Sequence, residues 1–251
     1  MTLIKSISGI RGTIGGKTGE NLTPVDIARF SSAFGMWVRK SAKAKMPHVV
    51  IGRDARPSGE MVRNIVVSSL NALGIDVTDL GLSTTPTVEM AVSNLKADGG
   101  IIITASHNPK NWNALKLLNH KGEFISAADG ESILQIAEQE SFDFADVEQL
   151  GRYCSDDTQL KKHIEQILAL PVVDAISIGK KKFKVVIDCV NSSGGVAVPL
   201  LLYALGVEEV IPLFCVPDGN FPHNPEPLPE NLIMLSREVK KNHAHLGLAV
   251  D

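Results

Sequence analysis

Short, continuously apolar runs alternate along the chain with segments whose apolar residues recur at helical spacing. The stretch "LTPVDIARFSSAFGMWVRK" predicts a helix, with Thr23 as N-cap, Pro24 at the first helical position and Asp26 in the first turn. "HVVIG" (48–52) reads as a buried strand. "GEMVRNIVVSSLNALG" reads as a helix with Met61, Val62, Ile65, Val66, Leu70 and Leu73 on one face, closed by Gly74. "IDVTDLG" is a second strand, and "TTPTVEMAVSNLKADGG" repeats the helix-start signal at Thr85-Pro86. "GIIIT" has the unbroken apolar character of a strand covered on both faces. "LKLLNHKGEFI" reads as a hairpin turning at Lys121-Gly122, and a helix is expected near 127–140.

Periodicity lapses over 141–158, "SFDFADVEQLGRYCSDDT", which carries five acids and predicts a domain boundary. The alternation then resumes. A helix over 159–169 is followed by "FKVVIDCV" as strand, "GGVAVPLLLYALG" as helix and "EEVIPLF" as strand. A proline-rich loop (217–232), "PENLIMLSREVKKNH" as helix and "HLGLAV" as strand complete it. The expectation is two α/β domains, 1–150 and 151–251, with mixed, largely parallel sheets flanked by helices.

Composition narrows the function classes. With 251 residues and 44% hydrophobic content the chain can bury a substantial core. A net charge of −3 gives no basic field for nucleic acid or an anionic membrane. The N-terminal "MTLIKSISGIRG" has no signal-peptide core, and "VAVPLLLYALGV" is too short to span a bilayer. Cys154, Cys189 and Cys215 are far apart and lack metal or disulfide spacing. A cytoplasmic, reducing location is the simple expectation.

Three stretches carry candidate chemistry. In "GIIITASHNP" a buried strand delivers Ser106, His107 and Asn108 to a strand end. Ser106 could be a nucleophile assisted by His107 or Lys116, or the segment could be a polar turn stopped by Pro109. Spacing alone favours the turn, and the absence of G-x-S-x-G weighs against a serine hydrolase. In "GRDARPSG" (52–59), Arg53 and Arg56 flank Asp54; they could steady a phosphate, hold a carboxylate, or form one solvated Arg–Asp pair. In "SGIRGTIGG" (8–16), glycines around Arg11 could let backbone amides approach an anion, or make a hairpin turn. The histidines at 48, 120, 163 and 243 have no metal-ligand spacing.

Taken in order, "SGIRG", "GRDARPSG", "TPTVEMAV", "GGIIITASHNPKNWNALK", "PDGNFPHNPEPLPENL" and "HLGLAVD" resemble the α-D-phosphohexomutase superfamily, which includes phosphoglucomutase, phosphomannomutase and phosphoglucosamine mutase. The resemblance implies a four-domain protein around a cleft, of which this chain matches domains one and two. It implies interconversion of hexose 6-phosphate and hexose 1-phosphate through a phosphoserine enzyme and a bisphosphate intermediate. Ser106 would carry the phosphoryl group, with His107 and Asn108 shaping its loop. Lys116 would be the acid/base at the sugar hydroxyl, Arg11 would orient the transferring group, and Arg53 would support the phosphate loop. Asp251 would be the first carboxylate of an Asp-Gly-Asp-x-Asp-Arg loop that, with phospho-Ser106, holds Mg2+. The rest of that loop would follow residue 251, so the chain alone is expected to be nearly inactive, and a non-catalytic sugar-phosphate-binding unit is the alternative. The wording of "NWNALKLL" and the proline-rich loop leans towards the phosphoglucosamine mutase branch. Two positions depart from the pattern: Ile7 precedes the glycine-rich segment where Thr is usual, and Asn113-Ala114 replaces Asn-Gly. Alanine disfavours a left-handed turn, so a differently shaped Lys116 loop is expected.

Overall fold

The computed structural model describes residues 1–6, 9–42 and 46–251. Ile7 and Ser8, which belong to the glycine-rich motif, lie outside the described residues. Two sheets organise the chain. The first is built from β1 (Ile4–Ser6), β2 (Gly9–Thr13), β3 (His48–Arg53), β4 (Asp76–Leu82), β5 (Gly99–Ile103), β6 (Trp112–Leu118) and β7 (Tyr153–Ser155), in the spatial order β1-β2-β6-β5-β3-β4-β7. The pairs from β5 through β3 and β4 to β7 are parallel, whereas β1, β2 and β6 are antiparallel to their neighbours. The second sheet is wholly parallel, with β8 (Lys184–Asp188) between β10 (Leu246–Ala249) and β9 (Glu209–Leu213). The architecture is therefore the expected mixed α/β, and helices cover the strands as a parallel arrangement requires.

Helices α1 (Pro24–Ser41), α2 (Gly59–Ala72) and α4 (Ala127–Gln139) pack one face of the first sheet. Ile27, Phe30, Phe34, Val62, Val66, Leu70 and Ile133 meet Val49, Ile51, Ile101, Ile103, Leu115 and Leu117 there. Helix α3 (Thr85–Asn94) covers the other face, where Val88, Ala91 and Val92 meet Val50, Ile102 and Leu118. The second sheet packs Val185 and Ile187 against Leu202 of α7 (Gly194–Ala204) and Val207. Between the sheets lie α5 (Gln159–Leu168) and the short α6 (Ala175–Lys180), and α8 (Ile233–Lys241) precedes β10.

The local signals work where they are short-range. Thr23 caps α1 through a capping box with Asp26, and Gly74, at φ +73°, lies just past the C-cap of α2. Other expectations are corrected. The N-cap of α3 is Thr84, because Thr85 is already helical. The hairpin over 115–125 has one long arm, β6, and its return is a single bridge between Leu118 and Phe124. Helix α8 starts four residues after Pro229, because the Pro229–Leu232 segment forms a turn first. Strand β7 lies past residue 150 yet pairs with β4, so the acid-rich segment continues across the edge of the first sheet before α5 begins. Among the described residues no helix is long and apolar enough to cross a membrane.

Candidate active site

The parallel strands of both sheets end on the same crevice, the place where open α/β sheets collect ligand residues. Ser106 lies three residues past the end of β5, and Asp251 two past the end of β10. Ser106 Oγ donates a hydrogen bond of 2.9 Å to Asp251 Oδ2 across 145 residues of chain. His107 Nδ1 is 3.9 Å from the same carboxylate oxygen. The serine hydroxyl therefore faces the carboxylate, and among the described residues it makes no hydrogen bond to His107.

The turn that presents Ser106 is held from below. Ser106 takes a left-handed backbone conformation (φ +52°), uncommon for a side chain bearing a Cβ. Its amide donates to Thr104 Oγ1 (3.1 Å), and the amide and side chain of Asn108 both donate to the Ala105 carbonyl (3.1 and 2.8 Å). The carbonyls point to Arg56, whose guanidinium commits all five donors. Nε binds Asp54 Oδ2 (3.0 Å), Nη1 binds the carbonyls of Pro109 (2.6 Å) and Trp112 (3.1 Å), and Nη2 binds those of Ser106 (2.5 Å) and Asn108 (2.7 Å). Arg56 is 1% exposed, so this is neither a solvated ion pair nor a free phosphate ligand. Thr104 Oγ1 adds a 2.6 Å bond to Asp54, which ties the two strand ends together. Burial pushes the Asp54 carboxyl up and the Arg56 guanidinium down, and each charge partly offsets this for the other.

Support for the loop thus falls to Arg56. Arg53, expected in that role, spends Nη1 on the Asp54 carbonyl (3.1 Å), while every guanidinium bond to the 106–112 turn comes from Arg56. The sequence did contain a signal: an acid two residues before an arginine, beside a polar turn whose inward carbonyls need donors.

Lys116 and Arg11 arrive on neighbouring strands. β2 and β6 pair so that Arg11 opposes Ala114 and Ile10 opposes Leu115, which puts Arg11 and Lys116 diagonally on one face. Gly9 leaves the room: a Cβ there would come within 3.0 Å of the Lys116 Cα and 2.1 Å of the Leu115 carbonyl oxygen. The expected Lys116 loop is corrected here. Asn113 and Ala114 are strand residues, so no left-handed turn is needed and alanine fits. Arg11, Lys116, Ser106, His107 and Asn108 line a cavity of about 160 Å³. Arg11 Nε is buried without a hydrogen-bond partner among the described residues. Burial holds Lys116 below the ordinary lysine range, while the nearby carboxylates of Asp251, Asp54 and Glu89 pull it back up. A half-buried cationic pair, a serine hydroxyl and a facing carboxylate suit an anionic substrate and a hydroxyl-centred transfer.

Comparison with known proteins agrees in both halves. Residues 3–144 match the model for phosphoglucomutase/phosphomannomutase alpha/beta/alpha domain I, and residues 161–251 match that for domain II. A phosphoglucomutase/phosphomannomutase of Thermococcus kodakarensis is 37% identical over 96% of this chain and 52% of its own length. A probable phosphoglucosamine mutase of Methanopyrus kandleri is 36% identical over 97% of this chain and 50% of its own. The crystal structure of a phosphoglucomutase/phosphomannomutase family protein from Burkholderia thailandensis superposes with a TM-score of 0.80 at 28% identity, covering 98% of this chain and 52% of that one. The chain spans about half the length of the curated relatives it matches.

Proposed function

The chain belongs to the phosphoglucomutase/phosphomannomutase family, and on that premise we propose that it is the phosphoryl-carrying part of a phosphohexomutase. In this reading Ser106 Oγ carries a phosphoryl group. The P–Oγ bond breaks as a hydroxyl of a hexose monophosphate forms the new P–O bond; the hydroxyl proton passes to neutral Lys116 Nζ, and the leaving Ser106 Oγ takes up a proton from water to restore the serine hydroxyl. The resulting hexose bisphosphate reorients and returns its other phosphoryl group to Ser106, so the product carries phosphate at the alternate position, C1 or C6. Such a transfer demands alignment and charge neutralisation more than covalent chemistry. Arg11, with its unpartnered Nε, offers a donor for the phosphoryl oxygens. Burial shifts Lys116 towards its neutral form, the direction a proton acceptor needs.

The donor set suits Mg2+, a hard cation that takes carboxylate and phosphate oxygens. Asp251 and the phosphoryl oxygens on Ser106 would hold the ion, which when bound would offset the dianion's charge. The substrates proposed are hexose or hexosamine phosphates, with the phosphoglucosamine mutase branch preferred, in a cytoplasmic setting. What carries the reading is the 2.9 Å bond that brings Ser106 and Asp251 together from the ends of two different sheets.

The test is intact-mass analysis after incubation with a hexose 1,6-bisphosphate and Mg2+. One phosphoryl group should be gained and should be lost in Ser106→Ala; incorporation by the alanine variant sinks the assignment. Paired assays with glucosamine, glucose and mannose 6-phosphates decide the branch.

A further inference from the structure

A second cavity, of about 130 Å³, opens on the other side of Ser106 and Lys116. Its far walls come from both sheets: Ser83, Thr84 and Thr85 after β4, and Ser193 and Gly194 at the start of α7. Two helices of ten and eleven residues, α3 and α7, therefore begin at one small space. The leading amides of a helix have no carbonyl within it, and their partial positive charge favours an anion.

The side chains give an independent indication. Ser83 and Ser193 are 9% and 7% exposed, and neither hydroxyl has a hydrogen bond among the described residues. Ser193 occupies the N-cap position of α7 but does not cap it. Both side chains line the cavity with their hydroxyls uncommitted, so two unused donors face one space, which suits an acceptor-rich occupant. The Asp54 carboxylate in the same wall is already engaged by Arg56 and Thr104. Lys116 supplies a cation, and Asp251 is the remaining carboxylate, bonded to Ser106.

We infer that Ser83 and Ser193, with the Thr85 and Gly194 amides that open α3 and α7, hold the phosphoryl oxygens of phospho-Ser106. This rests on the phosphoserine reading above. It adds a donor set from both sheets, so the group is oriented only when the two sheet ends are together. The occupant is a tetrahedral phosphate monoester, and the serines contribute hydrogen bonds without changing covalently.

The experiment is 31P NMR of the protein phosphorylated with a hexose 1,6-bisphosphate. Donors to the dianion hold the midpoint of its resonance down, against the upward pull of the Asp251 carboxylate. Ser83→Ala and Ser193→Ala should each raise that midpoint, and the double variant should raise it by roughly 0.5–1 pH unit. Ser193→Thr, which keeps a hydroxyl, should restore it. Ser132→Ala, an exposed serine on α4, should leave it unchanged. Thermal unfolding of each variant confirms that the fold is intact. A phosphoprotein whose midpoint ignores both serines overturns this inference alone. A protein with no resonance that Ser106→Ala removes overturns the phosphoserine reading and this inference with it.

Discussion

Replacing Arg56 with Met removes a side chain of similar length and, with it, five donors from one place. Asp54, with a side chain only 10% exposed, loses its charge partner and keeps Thr104 Oγ1 and the Arg56 amide as donors. The carbonyls of Ser106, Asn108, Pro109 and Trp112 lose their shared partner together. Breaking a buried ion pair from one side typically destabilises by about 3–5 kcal/mol. In a chain of this size each kcal/mol moves Tm by roughly 2–4 °C, so a fall of roughly 6–20 °C is expected. The charge and carbonyl contributions can be separated. Asp54→Asn added to Arg56→Met abolishes the stranded charge and should recover part of the loss, but not all, because the four carbonyls stay unpaired.

Hydrogen exchange localises the effect. Amides of residues 105–109 should lose protection more than those of the core strand β5, and phosphoryl incorporation at Ser106 should fall although the serine is unchanged. The reasoning is refuted if Arg56→Met unfolds within about 1 °C of the parent, below the smallest shift the mechanism permits, and leaves exchange at 105–109 unaltered.

Four further outcomes follow from the same geometry. Because Asp251 supports the Lys116 ammonium against burial, Asp251→Asn should lower the Lys116 pKa further, read by NMR of 13C-methylated lysine; an upward shift contradicts the placement. The folded-state value already lies below that of the unfolded chain, so folding stability should rise with pH from the folded Lys116 pKa up to the unfolded one, and Lys116→Met should flatten that rise in urea titrations. Gly219, at φ +73°, would place a Cβ 2.1 Å from the Ala55 carbonyl oxygen; Gly219→Ala should destabilise by about 1–3 kcal/mol and speed proteolysis of the 217–225 loop. Thr23→Val, which loses the cap of α1, should destabilise by about 1 kcal/mol in denaturant unfolding.

What could be read from the sequence was what is settled locally. The Thr23-Pro24-Asp26 start of α1 and the apolar run of β5 depend on neighbours a few residues away. Lys116, Arg11 and Ser106 could be named from motifs, but the Gly9 vacancy and the strand register that align the first two are long-range facts. β7 escaped notice because three exposed residues in an acid-rich stretch have no period to detect. Arg56 was visible as a residue and not as an organiser: its four carbonyl partners lie 50 to 56 positions away. Ser83 and Ser193 look like ordinary helix-start serines until the absence of a capping bond at α7 and their shared burial are seen.

The two sheets meet through few but specific contacts, and these decide whether the site exists. Besides the Ser106–Asp251 bond, the Ala55 amide donates to Ser192 Oγ at 3.4 Å, and the Arg56 guanidinium lies 5.1 Å from the ring centroid of Phe221. Thr87 on α3 shares a 3.0 Å hydrogen bond with His163 on α5. All but the last involve segments next to Asp54, Arg56 or Ser106. The residue that shapes the serine turn is therefore also stacked against the proline-rich loop of the second sheet. Arg56 thus couples two requirements that phosphoryl transfer would impose together: a fixed position for the carrier oxygen, and a fixed approach of the carboxylate facing it. A perturbation of the loop at Gly219 should consequently be felt at Ser106, more than at equally buried positions under α4, which pack on the opposite face of the first sheet.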